Sequence, residues 1–133
     1  MTSKHVLVAE DVADNLLLIQ SILEACGYTV SVAYNGVEAI ELVSSRLPDL
    51  VLMDLSLPVV DGWEATRVLK AQEQTRHIPI IALTAHAMQG DRERALMAGC
   101  DDYLSKPIDI EEIEQVTANW LARGTANPAE TSK

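Results

Sequence analysis

Five times along the chain a short apolar run gives way to a longer stretch with helical spacing, and this alternation constrains the fold more than any other feature. His5–Ala9, Thr29–Ala33 and residues 50–53, 78–83 and 103–105 read as strands. Three of them are nearly continuous in apolar residues, the pattern of strands covered on both faces. Between them lie helices. The first carries Val12, Leu16, Ile19, Leu23 and Cys26 on one stripe and is stopped by Gly27; the second carries Val37, Ile40, Leu42 and Val43 after an Asn35-Gly36 turn. The third starts near Trp63, and the fourth covers residues 91–98 before Gly99. The fifth opens on Asp109 as N-cap and carries Ile110, Ile113, Val116, Trp120 and Leu121. A regular (βα)5 order predicts an α/β fold, a five-stranded parallel sheet with helices on both faces joined by right-handed crossovers.

At 133 residues and 48% apolar composition the chain is the size of one domain with a proper core. That domain is expected over residues 1–122, with the polar stretch RGTANPAETSK at 123–133 as a flexible tail. The formal charge of −10 opposes binding to nucleic acid and to anionic membranes. Cys26 and Cys100 lack partners at metal-ligand spacing and read as plain thiols. No signal-peptide core and no run of about 20 apolar residues occurs. A cytoplasmic location without membrane insertion is the expectation.

In an open parallel sheet the ligand site lies beyond the carboxyl ends of the strands, where strand order reverses. At those ends the chain places Glu10-Asp11, Asp54, Thr84-Ala85 and Lys106-Pro107. Taken singly, each has an ordinary structural reading as cap, turn or solvated charge. Together, after runs otherwise apolar, they describe a chemical site. Unit charges about 4 Å apart interact by about 4 kcal/mol even at an effective dielectric of about 20, so three carboxylates need positive charge among them. Lys106 supplies one, and the remaining deficit suits a hard divalent cation bound through oxygen, which describes Mg2+.

The motifs VLVAED at 6–11, PDLVLMDLSLPVVDG at 48–62, PIIALTA at 79–85 and DYLSKPID at 102–109 together resemble the response-regulator receiver domain, the phosphoacceptor module of two-component signalling. The resemblance covers roughly residues 4–122. It implies a flavodoxin-like three-layer sandwich with strand order 2-1-3-4-5. It implies that Asp54 accepts a phosphoryl group from a phosphohistidine. Mg2+ is then held by Asp11 and Asp54, by Glu10 through water, and by the backbone carbonyl of Ser56. Lys106, before a cis Pro107, neutralises charge from the other side. Thr84 and Tyr103 form the conformational switch, and Ser56 and His86 flank the phosphoryl group and tune its hydrolysis. Such a protein is a signalling switch rather than a turnover enzyme, and its output passes by binding through the fourth helix, fifth strand and fifth helix, or by relay.

The first helix holds more apolar residues than one face buries. Leu16, Leu17, Leu18 and Ile22 widen the stripe, and an exposed part near Asp54 is expected. Leu16, Leu18, Ile22 and Pro107 are the expected docking residues for a sensor histidine kinase or a histidine phosphotransfer protein. The segments EDVADNLLL at 10–18 and 84–108 also look like receivers of hybrid histidine kinases, so a module acting only in phosphorelay is the alternative. His5 and His77 read as structural or surface residues. A phosphatase of the haloacid dehalogenase type needs an Asp where Ser56 stands. A flavin site needs a hydroxyl- and glycine-rich loop where Glu10-Asp11-Val12-Ala13-Asp14 stands, which repels phosphate.

Overall fold

The computed structural model of the protein describes residues 4–85 and 89–125. Five strands and five helices alternate: β1 (His5–Ala9), α1 (Ala13–Ala25), β2 (Thr29–Ala33), α2 (Gly36–Arg46), β3 (Leu50–Asp54), α3 (Gly62–Ala71), β4 (Ile80–Thr84), α4 (Gln89–Ala98), β5 (Asp102–Ser105) and α5 (Ile110–Thr125). The sheet has the order β2-β1-β3-β4-β5 with every pair parallel. The strand order reverses beside β1, which pairs with β2 on one side and β3 on the other.

Strand side chains alternate between faces, and the core divides accordingly. Leu7, Ala9, Val51, Met53, Ile80 and Ala82 meet Ala39 and Val43 of α2 and Ala65 and Leu69 of α3 on one face. Val6, Val8, Leu50, Leu52, Ile81, Leu83 and Leu104 meet Leu16, Ile19 and Leu23 of α1 and Ile113 and Leu121 of α5 on the other. With both faces covered, β3 and β4 are buried along their whole length. The polar residues at their ends therefore have fixed positions.

Side chains close three helix starts. Asn35 Oδ1 accepts from Glu38 N at 2.9 Å, and Glu38 Oε1 accepts from Tyr34 N at 2.8 Å, so that Asn35 caps α2 and Gly36 is its first residue rather than part of a free turn. Asp61 caps α3 and Asp109 caps α5 in the same manner. At α1 the N-cap position is Val12, which has no side-chain cap; its amide donates instead to Glu10 Oε2 at 3.1 Å.

β3 extends one residue to Asp54 and β5 starts one residue early at Asp102, and three other boundaries differ from the sequence expectation. β4 begins at Ile80, because Pro79 has no N–H to donate to the ladder. α4 begins at Gln89. α5 runs through residue 122 to Thr125, with the Arg123 guanidinium stacked 4.4 Å from the Trp120 ring centroid, so helix covers the first residues of the expected tail. Residues 126–133 lie outside the described residues. No helix among the described residues is long and apolar enough to cross a membrane.

Candidate functional site

Asp54 closes the buried strand β3 and is itself only 2% exposed. Its neighbour Leu55 continues the pairing by donating to the Leu83 carbonyl, which fixes the backbone just past the carboxylate. Both carboxylate oxygens are engaged. Ser56 N donates to Oδ1 at 3.0 Å, and Lys106 Nζ donates to Oδ2 at 3.0 Å. Lys106 is placed by its own backbone: its N–H donates to the Thr84 carbonyl at 2.8 Å, and the Lys106–Pro107 bond is cis.

Glu10, at the end of β1, is fully buried. Its Oε1 lies 3.1 Å from Lys106 Nζ as an ion pair, without the geometry of a hydrogen bond, and has no hydrogen-bond partner among the described residues. Burial first, then the neighbouring Asp54 carboxylate, push the Glu10 carboxyl above its ordinary range. Burial opposes the charge on Lys106, but the hydrogen bond to Asp54 and the negative charges of Asp54 and Glu10 outweigh it and raise its pKa. Asp11, by contrast, faces solvent. Ligand oxygens of Glu10, Asp11 and Asp54 lie within 4.8 Å of one another.

The arrangement can hold a cation. Three carboxylates gather where one ammonium pairs with two of them, a buried carboxylate oxygen lacks a hydrogen-bond partner among the described residues, and every donor in the cluster is oxygen, as Mg2+ requires. The residues present fit that ion.

Thr84 ends β4, buried, and pairs in register with Ser105. Tyr103 is half-buried against the core on the α2/α3 side. Ser56 is exposed beside the carboxylate that its amide holds. His86 lies outside the described residues. The α1 stripe is narrower than expected: Leu16 and Ile22 are buried in the core, whereas Leu17 is 65% and Leu18 38% exposed. Leu16 and Ile22 thus contribute packing rather than open surface, because they share the helix face of Ile19 and Leu23. Leu17, one position off that face, was expected in the widened stripe but not among the docking residues. Pro107 is exposed. Gly62 was also missed: a side chain there would run into the carbonyl of Asp54 and come within 2.7 Å of Leu55 Cα. The Asp61-Gly62 pair that opens α3 was its signal.

Fold and site together define the class: the chain belongs to the response-regulator receiver-domain family, whose sequence profile matches residues 6–118. It is 43% identical over 118 residues to the polar-differentiation response regulator DivK of Brucella anthropi, a match covering 89% of this chain and 96% of that protein. It is 41% identical to the receiver domain of the sensor histidine kinase PA1611 from Pseudomonas aeruginosa, with a TM-score of 0.85 over 91% of this chain and 99% of that one. That structure has a magnesium ion coordinated in its active-site cleft. The receiver domain of the Saccharomyces cerevisiae response regulator Ssk1, solved with the histidine phosphotransfer protein Ypd1, is 29% identical with a TM-score of 0.88. That match covers 98% of this chain and 97% of the other.

Proposed function

We propose that this receiver accepts a phosphoryl group on Asp54 from a phosphohistidine and signals through the resulting change of shape. The observation that carries the reading is the buried Asp54 carboxylate held between Ser56 N and Lys106 Nζ, with Glu10 and Asp11 beside it. One carboxylate oxygen of Asp54 attacks phosphorus as the phosphorus–nitrogen bond to the donor imidazole breaks. The imidazole leaves with the bonding pair and takes up a proton, and an aspartyl phosphate remains. Glu10, Asp11, Asp54 and the Ser56 carbonyl are the proposed holders of Mg2+, which when bound neutralises charge on the phosphoryl oxygens.

Lys106 provides a fixed positive charge on the other side of the nucleophile. Thr84 is the proposed hydrogen-bond donor to a phosphoryl oxygen, and Tyr103, half-buried on the neighbouring strand, is the group that changes place with it. Ser56 and His86 are the proposed tuners of hydrolysis. The exposed Leu17 and Leu18 of α1, with Pro107, form the proposed contact for the helical domain of a histidine kinase or phosphotransfer protein. The α4-β5-α5 face is the proposed output surface.

The test is intact mass after incubation with Mg2+ and acetyl phosphate. One added phosphoryl group is expected in the wild type and none in Asp54→Asn. A wild type that gains nothing from several small phosphodonors contradicts the reading.

A further inference from the structure

Between Asp54 and α3 the chain runs through residues 55–61, a loop that includes Ser56 and is wedged between two glycines from different elements. Gly62 abuts the Asp54 carbonyl on one side. On the other, Gly36 abuts Val60: an added Cβ would fall on the Val60 carbonyl oxygen and within 2.8 Å of Val60 Cβ. Gly36 N also faces the Pro58 carbonyl at 3.4 Å. Gly36 does not adopt a positive φ, so space rather than backbone conformation excludes a side chain there. Between these contacts Val59, 80% exposed, takes φ 70°, a left-handed conformation unfavourable for a β-branched residue. The loop adopts it where both flanks are fixed.

The α2 start has little freedom to yield. Asn35 Oδ1 accepts from Glu38 N and Glu38 Oε1 accepts from Tyr34 N across it, as described above. A larger residue at position 36 therefore displaces the loop.

We propose that Gly36, outside the carboxylate cluster, is a positioning residue for the Asp54 loop: its missing side chain lets Val60 seat against α2 and so fixes where Ser56 presents its amide and carbonyl. The proposal rests on the reading of the site as a Mg2+-dependent phosphoacceptor, and deepens it. Outer contacts that orient metal ligands commonly matter by about tenfold or more in metal affinity.

The experiment compares wild type, Gly36→Ala, Val60→Gly and Val43→Ala. Val43 is buried on the same helix about two turns away and serves as a control for lost stability. In metal-free protein the Ser56 amide resonance should move in Gly36→Ala and Val60→Gly but not in Val43→Ala. By calorimetric titration, Mg2+ should bind the first two about tenfold more weakly and the control within about twofold of wild type. If Gly36→Ala does not fold, Val60→Gly decides, since it frees the loop from the other side without adding volume. An unmoved Ser56 amide with unchanged Mg2+ affinity, or equal weakening in Val43→Ala, overturns the proposal. A wild type that binds no Mg2+ overturns the reading of the site itself, and the proposal with it.

Discussion

Replacing Asp11 by Asn should make the metal-free protein more stable and the Mg2+-loaded protein less stable than wild type. Asp11 is the exposed member of the three-carboxylate cluster, and its oxygens lie no more than 4.8 Å from those of Glu10 and Asp54. At that outer limit each like-charged pair costs about 0.9 kcal/mol in bulk water and about 3.5 kcal/mol at an effective dielectric of 20. Solvent reaches Asp11, so the lower end applies, and two such pairs come to about 2 kcal/mol. For a domain of this size about 3–5 °C of melting temperature accompanies each kcal/mol, so Asp11→Asn in EDTA should melt about 6–10 °C higher. In wild type, Mg2+ at a hundred times its dissociation constant adds about 2.7 kcal/mol. Without the Asp11 ligand most of that gain disappears. Thermal unfolding of both proteins, with EDTA and across a Mg2+ series, should therefore give melting curves that exchange order. A variant less stable than wild type in EDTA, or one that keeps the full Mg2+ shift, refutes the electrostatic account of the cluster.

Thr117 on α5 is fully buried and its hydroxyl has no hydrogen-bond partner among the described residues, so Thr117→Val should stabilise the protein by about 1 kcal/mol in urea unfolding. Burial holds the Cys100 thiol up at about 11, whereas Cys26 is exposed. At pH 8 iodoacetamide should add one label, at Cys26, and reach Cys100 only after unfolding; rapid double labelling of native protein contradicts this. His5 is pushed below its ordinary pKa chiefly by burial, so the unfolded chain takes up its proton first as pH falls. Its contribution is thus intact above about pH 6.5 and is lost as pH falls through the lower folded value. The drop in melting temperature below pH 6.5 should be smaller in His5→Gln, which keeps a polar group opposite the Ser31 hydroxyl.

What the sequence revealed and what it hid follow from range. The apolar runs of β1, β3 and β4 announce strands covered on both faces, and such strands can only carry their polar residues at the ends. Asp54, Glu10 and Thr84 were legible for that reason, and Lys106 by its place just past the fifth strand. The complete burial of Glu10 was not, since it depends on Lys106 crossing from β5 to meet two carboxylates. Of the docking residues expected on α1, Leu18 is exposed, whereas Leu16 and Ile22 share one buried face with Ile19 and Leu23, a distinction made by helical phase rather than by a count of leucines. The polar, glycine-containing start of 123–133 read as a tail, while the stacking of Arg123 on Trp120 accompanies another turn of helix. Gly36 was read only as a turn residue, because the carbonyl that excludes its side chain belongs to Val60, far along the chain.

The central claim is that Asp54 itself carries the phosphoryl group, and borohydride trapping followed by peptide mass mapping tests it most directly. Reduction of an aspartyl phosphate leaves homoserine in place of the aspartate. The account predicts homoserine at position 54, dependent on Mg2+ and on prior incubation with a phosphodonor. Homoserine at Asp11, or phosphate retained on a histidine or serine with Asp54 unchanged, contradicts it.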